Sequence, residues 1–213
     1  MTEDWLGRWV EGRIGWHEKE GNAGLHDAWP DIAADSRVLV PLCGKTPDLL
    51  WLAKRGCDVT GVEISPIACK AFFEEHSLAV ERDSSGALDC YQALDVGVRI
   101  FCGDYFEFRD DPFDAIFDRG SLVAMPESMR PSYVSHTRSL LRPGAYQLLV
   151  TLEYDQSAAQ GPPWAVAEEE VRRHWPELER LSCRNDIDNS PPKFRNAGLI
   201  EFNEVLWSGR VGR

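Results

Sequence analysis

Gly44 and Glu63 are the residues of this chain best placed to do chemistry, because each stands where an apolar run ends. Val38-Leu39-Val40-Pro41-Leu42-Cys43 leads into Gly44-Lys45, and Gly61-Val62 leads into Glu63-Ile64-Ser65. Between them a helix-like segment stops at Arg55-Gly56, giving strand, turn, helix, strand, with a carboxylate at the second strand tip. In an open parallel sheet, ligands bind beyond the carboxyl ends of the strands. A carboxylate there offers two acceptor oxygens, suited to the two hydroxyls of a ribose. A pyrophosphate would need a three-glycine turn at a helix N-terminus. The turn here has one glycine, which argues against NAD, FAD and P-loop nucleotides. A nucleoside cofactor without phosphate needs only one close backbone approach, and S-adenosylmethionine is the common one of that kind. The alternative is a plain strand-to-helix turn beside an exposed strand end, since single-glycine turns are frequent.

The surrounding elements can be read from periodicity. Residues 2–11 have helical spacing, with Trp5 and Trp9 four apart on one face. Gly12 and Gly15 end that helix, Trp16-His17 follow in a loop, and a short helix covers 22–29. A strand (37–42), a helix (46–55) and a strand (58–63) come next. Ser65 as N-cap and Pro66 at the first helical position start a helix running to about His76. Residues 77–97 read as an insertion, either a small hairpin or a broken helix. Strands follow at 98–102, ending at Gly103-Asp104, and at 113–117, ending at Asp118-Arg119-Gly120. Met125-Pro126-Glu127 is expected to open a helix to about Leu141, closed by Arg142-Pro143-Gly144. A strand (145–152), a loop with Gly161-Pro162-Pro163, a helix (167–174) and two strands (179–185 and 200–207) complete the chain. This alternation predicts an α/β fold, doubly wound and Rossmann-like, with helices on both faces and an antiparallel terminal strand. No linker or repeat interrupts it, so a single domain over 1–213 is expected.

Composition narrows the function classes. The 213 residues carry 23 basic and 35 acidic side chains, a formal net charge of −12. Nucleic-acid binding needs clustered Lys and Arg to displace counterions, and no such stripe is present. The N-terminus has no basic region followed by an apolar core, and no run approaches a membrane span. The six cysteines include no C-x-x-C pair, which argues against a zinc site or a disulfide framework. A cytoplasmic monomer without metal, acting on a small molecule, is the expectation.

Five words occur in order: Asp4-Trp5-x-x-x-Trp9-x-x-Gly12-x-x-x-Trp16-His17, Pro41-Leu42-Cys43-Gly44-Lys45, Gly61-Val62-Glu63-Ile64-Ser65, Asp118-Arg119-Gly120 and Gly161-Pro162-Pro163. Together they closely resemble the thiopurine S-methyltransferase family, over about Trp5 to Trp207. The resemblance implies a class I methyltransferase sheet and S-adenosylmethionine as cofactor. It also implies an acceptor that is a small aromatic or heterocyclic thiol, with selenium or tellurium compounds as further acceptors. A thiol or halide-ion methyltransferase of the same fold, and a non-catalytic scaffold that binds the cofactor, are the competing readings. In the family, positions matching Trp5, Trp9, Trp16, Leu42, Glu63 and Arg119 line the cofactor and substrate site.

On that reading Leu42 and Gly44 let the methionine part of the cofactor lie against backbone, and Glu63 takes the ribose hydroxyls. Gly103, Asp104 and Tyr105 are placed for the adenine. Residues 1–30 form a helical lid, whose Trp5 and Trp9 either close over a sulfonium or form a core stripe. Arg119 either orients a heteroaromatic thiolate, as the catalytic group, or forms an ion pair with Asp118 or Asp114. Trp16 and Lys193 are candidate substrate contacts, with Arg195 an alternative to Lys193 because the register there is open. His17 is read as a packing residue more than as a base. The Gly161-Pro162-Pro163-Trp164 loop is either a cover over the substrate mouth or a rigid connection.

Overall fold

The computed structural model describes residues 4–212 and divides the chain into two compact units, Met1–Phe117 and Asp118–Arg213. In the first unit, α1 (Trp5–Val10) and α2 (Ala23–Ala28) precede β1 (Arg37–Pro41), α3 (Asp48–Lys54), β2 (Asp58–Glu63) and α4 (Pro66–Glu75). Then come β3 (Val80–Asp83), β4 (Asp89–Ala93), β5 (Val98–Cys102) and β6 (Phe113–Arg119), whose last two residues pass the division. Positions 2 and 3 of the expected first helix lie outside the described residues.

Side by side, the strands of this unit run β3-β4-β5-β2-β1-β6. β5, β2, β1 and β6 are parallel neighbours, while β3 and β4 form an antiparallel hairpin beside β5. From β1 the chain winds outward through β2 to β5, then returns to place β6 on the other side of β1. Because parallel crossovers are right-handed, that reversal sends successive crossovers to opposite faces. It also makes the carboxyl end of β1 a topological switch point, where such sheets bind ligands. Strands covered on both faces must be apolar throughout. In β1 every residue after Arg37 is buried, and in β2 every residue after Asp58.

Local chemistry fixes the boundaries. The Ser65 side chain accepts from the Ala68 amide, with Pro66 next in line, so α4 starts where the sequence places it. A cap of this kind contributes about 1 kcal/mol. The N-terminal segment is tied down by buried Asp48, which accepts from the Asn22 amide at 2.8 Å. Gly21 comes so close to that carboxylate that a Cβ would lie 2.5 Å from an oxygen, and its φ of +80° suits only glycine.

The second unit holds α5 (Arg130–Ser139), β7 (Leu141–Glu153), α6 (Glu168–His174), β8 (Glu179–Asn185), α7 (Pro192–Asn196) and β9 (Asn203–Arg210). β9 lies between β7 and β8 and is antiparallel to both. Phe202 stacks on Tyr154, and Phe194 of α7 meets Tyr154 edge-on, in a small apolar cluster.

Two expectations need correction here, and one element is new. The helix expected from Met125 is a 3-10 turn over Glu127–Met129, followed by α5, which ends at Ser139. Arg142-Pro143-Gly144 does not close that helix; it lies inside β7, which starts at Leu141. Pro lacks only the donor N–H and is tolerated near the start of a strand. α7 is an addition, opened by Pro192 at its first position, in a stretch between the last two expected strands to which the sequence assigns no element.

Arg130 holds much of this unit together. It is 3% exposed, and its guanidinium donates to the Met125 carbonyl, the Ala165 carbonyl and the Glu170 carboxylate at 3.1, 3.0 and 2.6 Å. Removing one partner of a buried pair leaves the others desolvated and unpaired. Arg130→Met is therefore expected to cost about 3 kcal/mol. It should appear as a lowered denaturant midpoint with an unchanged slope, and a midpoint within experimental error of wild type contradicts this account.

Candidate functional site

The turn after β1 is shaped for close approach. Leu42 and Gly44 both adopt left-handed φ, +45° and +56°. That conformation is costly for a residue with a side chain and free for glycine. The turn is held against β2 by the Cys43 amide, which donates to the Val62 carbonyl at 3.0 Å. Gly61 lets the turn close, because a Cβ there would sit 2.6 Å from Cys43 Sγ.

Glu63 is the centre of this geometry. It is 5% exposed, and its two oxygens face opposite ways along the turn: Oε2 accepts from the Gly44 amide and Oε1 from the Ser65 amide, both at 2.8 Å. One side chain thus fixes the glycine turn after β1 and the start of α4. The two oxygens together offer about four acceptor directions, so these amides leave the carboxylate capacity for a ligand hydroxyl. Burial pushes the Glu63 carboxyl up to about 7, opposed by the Ser65, Gly44 and Ile64 amides. Burial raises the neighbouring Cys43 thiol too, and Cys69 is fully buried, so the surroundings of Glu63 are dry.

The N-terminal aromatics converge. Trp9 is buried, and its ring lies 3.3 Å from where a Cβ on Gly44 would stand. Trp16 makes edge contacts with Trp5 and Trp9, ring centroids 5.2 and 6.0 Å apart. The Arg8 guanidinium lies over two of these rings, 5.4 Å from the Trp5 centroid and 5.9 Å from that of Trp16. The spacing of Trp5 and Arg8, three apart on one helix, is the signal that could have identified Arg8 from sequence. A tryptophan cluster already holding a cation, beside a glycine turn and a carboxylate with spare acceptor capacity, fits a nucleoside that carries a sulfonium.

After β5, Asp104 is exposed and accepts from the Phe106 amide at 2.9 Å, capping a 3-10 turn over Tyr105–Glu107 in which Tyr105 is buried. Leu88 of the hairpin lies against Gly103, where a Cβ would collide with its Cδ2. The structure therefore brings Trp5, Trp9, Trp16, Leu42, Gly44 and Glu63 into one neighbourhood of the first unit.

In the second unit, Arg119 ends β6, half-buried, next to fully buried Asp118. Asp118 accepts from the Tyr133 hydroxyl at 2.7 Å and the Leu122 amide at 3.2 Å. Burial raises its carboxyl to about 6, while the Tyr133 hydroxyl pulls it back. Asp118 and Glu63 both have raised folded values, so their contribution to stability is present at low pH. It is lost as pH rises through about 6 for Asp118 and about 7 for Glu63.

Lys193 donates to the Gln160 and Pro162 carbonyls at 2.7 and 2.8 Å, and Arg195 to those of Ile187, Asp188 and Ser190. The Gly161–Trp164 loop is also held by the Tyr154 hydroxyl on the Pro163 carbonyl and by the Trp164 amide on the Val123 carbonyl, each at 2.7 Å. These bonds anchor the loop at several points along its length. A separate concavity of about 590 Å³, lined by Tyr154, Leu199, Ile200 and Glu201 among others, contains none of the site residues expected from sequence. Among the described residues, no three His, Cys, Asp or Glu side chains are grouped to hold a metal ion, and no helix is long and apolar enough to cross a membrane.

Comparison with known proteins supplies the rest. The thiopurine S-methyltransferase (TPMT) family profile matches residues 1–210. The thiopurine S-methyltransferase of Photobacterium profundum is 44% identical over 209 residues, 97% of each chain. That of Pseudomonas putida (strain KT2440) is 42% identical over 210 residues, 95% of this chain and 96% of the relative. Among solved structures, the 1,6-didemethyltoxoflavin-N1-methyltransferase of Burkholderia thailandensis, with 1,6-didemethyltoxoflavin and S-adenosylhomocysteine bound, superposes with a TM-score of 0.61. It is 17% identical, with 99% of this chain and 86% of that chain covered, so it speaks to the fold alone. With the doubly wound sheet, the single-glycine turn and the strand-tip carboxylate in place, these matches settle the lineage: the chain belongs to the thiopurine S-methyltransferase family, α/β methyltransferases that use S-adenosylmethionine.

Proposed function

We propose that this protein transfers a methyl group from S-adenosylmethionine to small aromatic or heterocyclic thiols, thiopurines being the diagnostic class, and to selenium or tellurium compounds. We further propose that it acts as one methyltransferase domain, a cytoplasmic monomer, with about residues 1–30 as its helical cover. The observation that carries the cofactor side is the Gly44–Glu63–Ser65 arrangement beneath Trp9. When bound, S-adenosylmethionine supplies an electrophilic methyl group on a positive sulfur.

The chain's own residues then have distinct tasks. Glu63, its orientation set by two amides, receives the ribose hydroxyls on its remaining lone pairs. Leu42 and Gly44 present backbone to the methionine portion, and Asp104 and Tyr105 serve the adenine. Trp5, Trp9 and Trp16 shield the positive sulfur from water and attract it by about 0.5–2 kcal/mol per favourable face. Arg119 keeps the acceptor sulfur ionised and orients its ring, since a guanidinium stays charged and presents a planar fork. A heteroaromatic thiol ionises near neutrality, so no strong base is required and His17 is left a packing role. Alignment of the reacting atoms is then the main contribution, an effect that can reach about 7–11 kcal/mol.

Two outcomes are expected. Ribose hydroxyls donate to Glu63, so binding favours its ionised form and releases a proton below the free value of about 7. S-adenosylmethionine should therefore bind up to about tenfold tighter at pH 8 than at pH 6. Calorimetry in buffers of different ionisation heat reads both the affinity and the proton, and Glu63→Gln should weaken binding and flatten the pH profile. A flat profile in the wild type removes Glu63 from the ribose contact. Separately, with labelled methyl offered to 6-mercaptopurine, thiophenol, iodide, selenite and tellurite, the thiols and the selenium and tellurium acceptors should be labelled, with thiol rates falling at least about tenfold in Arg119→Ala. Transfer to iodide alone favours the halide reading, and cofactor binding with no labelled product favours a non-catalytic scaffold.

A further inference from the structure

The indole faces given above to the cofactor's positive sulfur carry a positive group already. Arg8 lies one helical turn beyond Trp5 and directly before Trp9 on α1. It is partly buried, and its guanidinium carbon stands 5.4 Å from the Trp5 ring centroid and 5.9 Å from that of Trp16. Both distances lie inside the range in which a cation is held by an aromatic face. Trp16 in turn touches Trp9, the residue resting on the Gly44 turn.

We infer that Arg8 is the cation the tryptophan cluster holds when the cofactor is absent, and that it sets how the protein discriminates S-adenosylmethionine from S-adenosylhomocysteine. The inference rests on the cofactor reading above, with Trp5, Trp9 and Trp16 facing the sulfur. A cationic ligand must then either displace the guanidinium from the indole faces or share them with it. Displacement forfeits the cation–aromatic attraction of Arg8, and sharing sets two like charges a few ångströms apart. Displacement costs either ligand alike, whereas sharing subtracts a like-charge term from the affinity of the positively charged donor alone. The neutral thioether left after methyl transfer carries no such term. Arg8 therefore raises the donor-bound state relative to the product-bound state, and that difference disappears as the ligand's charge is lost. An interaction that is unfavourable in the starting complex and relieved along the reaction lowers the barrier.

The test is a ratio of affinities. Kd values for S-adenosylmethionine and S-adenosylhomocysteine are measured by calorimetry at one pH and salt concentration for wild type, Arg8→Met and Arg8→Lys. Met preserves an unbranched stem without the charge, and Lys preserves the charge. The expected result in Arg8→Met is a shift of about three- to tenfold in favour of S-adenosylmethionine relative to S-adenosylhomocysteine. Arg8→Lys should stay within about twofold of the wild-type ratio. A general loss of packing in the lid weakens both ligands together and leaves the ratio unmoved, so an unchanged ratio in Arg8→Met overturns the inference. A ratio displaced equally in Arg8→Met and Arg8→Lys overturns it as well, because the charge is then not the cause. If wild type binds neither ligand, the cofactor reading itself fails and the inference with it; if it binds both with an invariant ratio, only the role of Arg8 fails.

Discussion

Two backbone amides, one from the turn after β1 and one from the start of α4, converge on the carboxylate of Glu63. Neither amide has a helix or strand partner of its own, and both lie where water has been excluded, so each would be costly if left unmet. The carboxylate meets both at once, and its own burial is the cost, visible in a carboxyl raised to about 7. The parallel register that pairs Pro41 with Val62 brings the next residues of each strand to this meeting point. The left-handed turn at Leu42 and Gly44, the missing side chain at Gly61 and the Ser65 cap all serve to bring those amides within reach.

The N-terminal segment depends on the same point by a different route. Asp48 anchors the Asn22 amide just before α2, while Trp9 at the other end of the segment rests on Gly44. Around the Trp9 attachment, Trp5, Arg8 and Trp16 pack on one another with partial exposure. One end of the segment is thus pinned by a buried polar contact and the other by an aromatic ring over a glycine. The second is the less directional kind of attachment, an apolar contact that fixes position without fixing orientation.

Much of this was legible in the sequence where a single local signal decided the outcome. β2 ends at Glu63 and α4 begins at Pro66 because Ser65-Pro66 leaves the backbone little choice. The 77–97 insertion was ambiguous, and it proves to hold the β3–β4 hairpin, whose fully exposed β3 lacks the alternation that would have marked a strand. Pro143-Gly144 misled, because the dipeptide signals a turn in isolation, whereas here Gly144 and Ala145 exchange backbone hydrogen bonds with Val211, just past β9. Side-chain partners were the least legible. Lys193 reads from sequence as a substrate contact, while in the structure its ammonium donates to two carbonyls of a loop some thirty residues earlier. No spacing rule connects positions that far apart. Arg8 was missed for the opposite reason, standing in plain view between two tryptophans but overshadowed by them.

The connection from Gln160 to Val166 takes its shape from side chains of four separate places: Lys193, Tyr154, Gln156 and Arg130. Two further bonds join it to the Val123 and Leu152 carbonyls. Such a segment is not modular. Transplanting its seven residues into a relative, or replacing them with a relative's own, moves only the ropes and leaves the cleats behind. Over evolutionary time, substitutions within it should accumulate together with changes at those distant anchors, as one inherited block.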